Sequence, residues 1–203
     1  MLLALDSSAG TSAAVVDREY GVLAERTIAD GLHHAEVVGQ LIADVLRESG
    51  ASVRALAAVA VGVGPGPFTG LRVGMAAAKL FALAAGKPLL GIVSHDAVAL
   101  AHYGSGGWGD LIVATDARRR ELYWSRYAGL DELGLPQRVS GPAVTKPDDI
   151  PHAARRIDAS TIPAASLGLL AERLRLSGRP AHVEPLYLRS PDVTLSSPKR
   201  VRS

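Results

Sequence analysis

Between residues 70 and 85 only Arg72 and Lys79 carry charge, and every other position is apolar or glycine. With Gly86-Lys87-Pro88 ending it, this stretch reads as a helix that is apolar nearly all round and has to be covered on two sides. One side can pack on a sheet of its own unit. Residues 56–63 are a continuous apolar run rich in Val and Ala, and 89–93 are a second, as expected of strands buried on both faces. The other side needs a further partner. Gly70, Gly74, Ala78 and Ala82 recur every four residues, a stripe of small residues that lets another helix approach closely, while Leu71, Met75, Leu80, Phe81 and Leu83 fill the remaining faces. Residues 34–48 hold the candidate, because Val37, Val38, Leu41, Ile42, Val45 and Leu46 recur at three- and four-residue steps. That helix covers the stripe internally, or the two helices together receive a second subunit. The second alternative is favoured, since such a helix on a small unit leaves a patch that monomers rarely show. It names Val38, Leu41, Val45, Gly70, Gly74, Met75, Ala78 and Phe81 as the partner interface.

Around this helix the chain reads as α/β. Residues 2–5, 12–16 and 22–27 form a meander of short strands separated by polar turns, and residues 94–102 a short helix capped by Ser94 and Asp96. The Gly/Ser-rich stretch 104–109, with its single Trp108, is the clearest boundary. Beyond it, 111–115 and 121–127 pair around Asp116 and Arg118-Arg119-Arg120, a Pro-rich stretch runs through Pro151, and 163–176 is the last helix. The expectation is two α/β units, 1–103 and a less complete 104–190, followed by a flexible basic tail, 191–203, with no internal repeat.

At 203 residues, 48% hydrophobic and 21% charged, the chain can build a substantial core. The formal charge is +2, but Lys199, Arg200 and Arg202 crowd the last few residues and leave the rest slightly negative, a poor field for wrapping nucleic acid. Cysteine is absent, which excludes disulfides, thiolate zinc sites and a cysteine nucleophile. Asp6 arrives too early for a signal peptide, and Gly62 to Pro67 and Lys79 interrupt the longest apolar runs, so the expectation is a cytoplasmic protein without a membrane span.

Several motifs fail on spacing. The loop from Gly62 to Gly70 ends Thr69-Gly70-Leu71 rather than Gly-Lys-Ser/Thr, and Pro67 and Thr69 stand where a dinucleotide loop needs glycine; it reads as a rigid elbow with Thr69 capping the helix. No two histidines lie four residues apart, so adjacent His33 and His34 read as a polar helix start. Ser94-His95-Asp96 are sequence neighbours, which cannot adopt a relay geometry. The Arg118 to Arg120 run with Tyr123, Trp124 and Tyr127 suits either RNA stacking or a solvated turn beside strand core, and the latter is favoured. Asp6, followed by Ser7, Ser8 and Thr11, is either a degenerate phosphate turn beside a nucleotide cleft or simply a good turn.

Leu3-Ala4-Leu5-Asp6-Ser7-Ser8, Gly64-Pro65-Gly66-Pro67-Phe68-Thr69-Gly70-Leu71-Arg72-Val73-Gly74, Asp116-Ala117-Arg118 with Glu121-Leu122-Tyr123, and Pro185-Leu186-Tyr187-Leu188-Arg189 resemble, in this order, the bacterial TsaB (YeaZ) family. The resemblance implies an actin/Hsp70-like (ribonuclease H-like) two-lobe fold with a complete first lobe and a shortened second. It implies a part in making N6-threonylcarbamoyladenosine at position 37 of ANN-decoding tRNAs, as a catalytically silent paralogue of TsaD, which transfers the threonylcarbamoyl group and holds a metal through His-x-x-x-His. By the same resemblance no residue here is catalytic or metal-binding, and the two N-terminal helices form the dimer face. The implied partners are TsaD and TsaE, with self-pairing when alone and tRNA reached only through the complex. No cofactor is expected to bind independently, with ATP or ADP at the joint with TsaD left open. The alternative is a stand-alone actin-like ATPase or glycoprotease-like hydrolase. The segment from Asp149 to Pro163 is shorter than the family pattern, so the second lobe is expected to be trimmed.

Overall fold

Strand β1 (Leu2–Asp6) is buried along its whole length, and its pleat sends Leu2 and Ala4 into one apolar cluster and Leu3 and Leu5 into another. The computed structural model that shows this describes residues 1–29, 34–179 and 181–189; His33 and the basic tail with Lys199, Arg200 and Arg202 lie outside the described residues. β1 pairs antiparallel with β2 (Thr11–Asp17), which pairs with β3 (Gly21–Ile28). On its other side it pairs parallel with β4 (Ala58–Gly62), and β5 (Leu89–Ile92) completes the order β3-β2-β1-β4-β5. Leu5 therefore faces Ala13 on one neighbour and Val61 on the other.

Each face of this sheet carries helices. Leu3, Leu5, Val15, Val59 and Val61 pack under α1 (His34–Ser49) and α2 (Phe68–Ala85). The opposite face is lined by Ala4, Ala14, Ala58 and Ala60, small enough for α3 (Ser94–Gly104) and α4 (Ala164–Ser177) to lie close. At Gly168 of α4 the approach leaves no room for a side chain, since a β-carbon there would stand 2.8 Å from Val16 Cγ2. Thus α4, late in the chain, packs on β1 and β2 of the first sheet.

The second sheet repeats the pairing of the first. β6 (Leu111–Asp116) runs antiparallel to β7 (Leu122–Leu130) and parallel to β9 (Arg155–Asp158), as β1 does to β2 and β4, and β8 (Pro136–Thr145) takes the place of β3. Where the first lobe inserts α1, the second has a single 3₁₀ turn, Pro147–Asp149. Leu111 and Val113 face α3 and α4, while Ile112, Ala114 and Trp124 face Ile150 on the far side.

Five expectations are corrected here. The repeat exists in topology and was invisible in the residues. β8 runs through part of the Pro-rich stretch, because it is an edge strand, where proline costs no ladder bond with a neighbour. The short segment before the last helix still contains β9. Neither Thr69 nor Ser94 and Asp96 cap their helices, whose N-cap positions are Pro67 and Val93 without side-chain bonds. The helix α2, contrary to expectation, is long and apolar enough by length and composition to cross a bilayer; in this fold Gly70, Leu71, Gly74, Ala78 and Ala82 form its buried side.

Candidate functional site

The turn after β1 gathers every residue expected of a phosphate turn, and then occupies each of them internally. Asp6 is 1% exposed. Its Oδ1 accepts from the Ser8 backbone N–H at 2.7 Å and the Ser8 hydroxyl at 2.6 Å, and its Oδ2 accepts from the Ser94 hydroxyl at 2.5 Å. Burial pushes the carboxyl pKa up, and the hydrogen bonds from Ser8 and Ser94 counter that only in part. A β-carbon at Gly62, on the neighbouring strand, would overlap this carboxylate, so β4 closes the site from the side. Ser94 Oγ also accepts from the Gly64 N–H at 3.2 Å. Ser7 donates to the Gly70 carbonyl at 2.7 Å and Thr11 Oγ1 lies 2.7 Å from His34 Nδ1, so the turn is tied to the starts of α2, α1 and α3. What remains open is a cleft of about 220 Å³ between the lobes, lined among others by Ser8, Gly10, His34, Asp116 and Arg118.

The first turn of α3 is the joint between the lobes. Ser94 points to Asp6; His95 lies between Ser125 Oγ at 2.9 Å and Thr115 Oγ1 at 3.0 Å; Asp96 accepts from Tyr127 at 2.6 Å, with Arg138 3.6 Å away. Three neighbours thus face three directions, the geometry that a relay cannot use. Burial, helped by the charge of Arg138, lowers the His95 pKa to about 3, so its ring is neutral at pH 7.

A second tie crosses the outside. Leu186 donates its backbone N–H to Val63 at 2.8 Å, the Tyr187 ring lies 4.8 Å from that of Phe68, and Arg72 lies 3.7 Å over the Phe68 ring while donating to Tyr187 at 3.1 Å. Arg189 then reaches the second lobe, bonding the Ala117 carbonyl at 2.7 Å and the Glu121 carboxylate. The Pro185 to Arg189 motif is therefore a strap across the two lobes.

Helix α2 presents the opposite face to the one expected. Val38, Leu41, Val45, Gly70, Gly74 and Ala78 are buried in the protomer's own core, while Met75 and Phe81 are half-buried. The reason is steric. A β-carbon on Gly70 would stand 2.7 Å from the Ser7 carbonyl and 2.9 Å from His34 Nε2, and one on Gly74 would overlap the Ser7 hydroxyl. The small residues admit the chain's own first turn and α1, so the stripe is not a surface for a second subunit. Facing out instead are Arg72, Ala76, Lys79, Leu80 and Leu83, with Leu80 67% and Leu83 77% exposed. Beside them a groove of about 490 Å³ is lined by Met75, Leu83, Leu89, Val183 and Tyr187, with Lys79 and Lys87 at its edge. Leu80 and Leu83 were findable from the sequence, since they fall on the side of the helix away from the glycines.

At the far side of the cleft, Arg118, Arg119 and Arg120 all hold left-handed backbone, with φ of 62°, 53° and 59°. Tyr123, Trp124 and Tyr127 are buried strand residues beyond this turn.

Comparison with known proteins adds three findings. The profile of the family described as "TsaD: tRNA N6-adenosine threonylcarbamoyltransferase" matches residues 7–174. An uncharacterized protein of Mycobacterium tuberculosis is 37% identical over 94% of this chain and 92% of its own length, and the Escherichia coli tRNA threonylcarbamoyladenosine biosynthesis protein TsaB is 35% identical over 57% of this chain and 49% of its own. Among solved structures, YeaZ from Pseudomonas aeruginosa superposes with a TM-score of 0.77 at 27% identity, covering 92% of this chain and 99% of that one.

Proposed function

The chain belongs to the TsaB/YeaZ branch of the TsaD family and has its two-lobed actin/Hsp70-like fold, and from that premise we propose that it is the non-catalytic subunit that binds and activates TsaD for threonylcarbamoyl transfer to N6 of adenosine 37 in tRNA. It works in the cytoplasm, TsaE joins the same assembly, the isolated chain can pair with itself, and ATP or ADP belongs at the joint with TsaD rather than in this chain alone.

The observation that carries this role is the outward face of α2. Leu80 and Leu83 stand in water beside an apolar groove, on a helix whose inner face is immobilised against β1, β4 and α1. Burying two leucines against a partner contributes about 1.5–3 kcal/mol each. A rigid helix loses little further entropy on docking. A silent rather than catalytic role is supported by Asp6, whose carboxylate oxygens already accept from Ser8 and Ser94. Activation then means that α2 holds a partner helix in its active arrangement.

The double variant Leu80→Asp, Leu83→Asp tests this directly. Mixed with TsaD and run on size exclusion, it is expected to elute as separate subunits, with an unfolding midpoint close to that of the unaltered chain. Co-elution as tight as that of the unaltered pair would overturn the assignment.

A further inference from the structure

Away from α2, the loop 104–109 and strand β9 enclose a recess of about 370 Å³, within the ~300–1,000 Å³ of small-ligand clefts. His102, Gly106, Gly107, Trp108, Ala154 and Arg155 line it. Trp108 is 85% exposed, the highest value for a large apolar side chain among the described residues, and it is flanked in sequence by Gly107 and Gly109, so no neighbouring side chain covers its ring.

A lone exposed apolar residue needs no explanation. Two further groups in the same recess are what demand one. Among the described residues none bonds or ion-pairs with the Arg155 guanidinium, whereas Arg156 next to it is held by Asp158 at 2.6 Å. His102 Nε2 is buried without any hydrogen-bond partner. Gly107 packs over that nitrogen, where a β-carbon would overlap it, and burial together with the nearby Arg155 charge lowers the His102 pKa, so that at pH 7 the ring adds no charge to the recess. No carboxylate lines the recess. A flat open π-face and an unpaired cation beside a neutral ring suit a ligand that combines an aromatic heterocycle with an anion.

We propose that this recess takes an unpaired nucleotide, its base stacked on Trp108 and its phosphate on Arg155. The occupant is a nucleotide of single-stranded RNA, which gives a chain otherwise reaching tRNA through its partners a direct contact of its own. The recess is built from elements other than α2, so the Leu80 and Leu83 substitutions leave it intact and the two tests are independent.

The full chain is titrated with a short oligoadenylate and, separately, with AMP, while tryptophan emission is followed. Trp124 is only 6% exposed, so quenching reports on Trp108. By calorimetric titration, which needs no tryptophan signal, Trp108→Ala is expected to weaken oligoadenylate binding by about fivefold or more, and Trp108→Tyr to retain most of it. Arg155→Gln is expected to reduce the slope of log affinity against log salt by about 0.7. Tighter Trp108-dependent binding of the strand than of AMP supports the RNA occupant. Equal binding of the two keeps the site but assigns it to free mononucleotides, which overturns the RNA assignment. No Trp108-dependent binding of either probe, or undiminished binding by Trp108→Ala, overturns the site itself.

Discussion

Asp6 and Asp116 close the central strands of the two sheets in the same way. Each is the last residue of its strand, and each accepts a hydrogen bond from the backbone N–H two residues on, Ser8 at 2.7 Å and Arg118 at 2.8 Å. Beyond that shared turn they differ. Asp6 is sealed by Gly62 and Ser94, whereas the Asp116 side chain is 63% exposed, with Arg118 3.5 Å away as its ionic partner. The same local chemistry therefore yields a buried structural knot in one lobe and a solvated rim in the other. A turn motif sets where a carboxylate points, and the elements packed over it decide what the carboxylate can do.

The largest expected consequence lies on the sealed side. Gly74→Leu drives a side chain into Ser7 and should cost about 3 kcal/mol or more in urea denaturation, because the buried Ser7 side chain, tied to the Gly70 carbonyl, already fills the site. A comparable substitution at an exposed residue of the Asp116 turn should change little.

Next is Ser94→Ala, which deprives both the Asp6 carboxylate and the Gly64 N–H of a partner. It should cost about 1–3 kcal/mol, against about 0.5–1 kcal/mol for Asp116→Ala, which loses one exposed turn bond. Equal losses in the two denaturation curves would mean that the turns are not distinguished by burial.

A smaller effect appears in pH dependence. The folded-state pKa of Asp6 is raised above its ordinary value of 3.8, so between that value and the raised one the native state holds a proton that the unfolded state has released. Stability from this group is present at low pH and falls as pH rises through the folded pKa. Asp6→Asn should remove that fall, which urea midpoints measured from mild acid to neutral pH would reveal as a flatter profile.

The smallest change is expected on the open side. Arg120 holds left-handed backbone, at φ 59°, where glycine is unstrained. Arg120→Gly should stabilise by at most about 1 kcal/mol, since relief of strain exceeds the added entropy of the unfolded chain only slightly. A clear loss by thermal unfolding would show that the arginine side chain itself anchors the turn.

Much of this architecture was legible in advance. Periodicity located α1, α2 and α4 to within a few residues, and the apolar runs located β1, β4, β5 and β6. β8 escaped because its prolines read as loop, and β9 because Arg155, Arg156 and Asp158 hide a strand of only four residues. At the candidate site, Asp6, Ser7, Ser8 and Thr11 were identifiable as one turn, since they are neighbours in the chain. Their saturation was not, because the partners Gly70, His34 and Ser94 come from three separate helices. Helix α2 was legible too, but its small-residue stripe pointed to the wrong outward side.

Residue order alone settled most of the strands and helices, their α/β class and the family, because these follow from periodicity and contiguous motifs. Which aspartate is entombed and which is wet, and which side of α2 meets water, followed from packing between distant segments. Ser94 reaches Asp6 across 88 positions of chain, and no pattern local to either residue encodes that meeting.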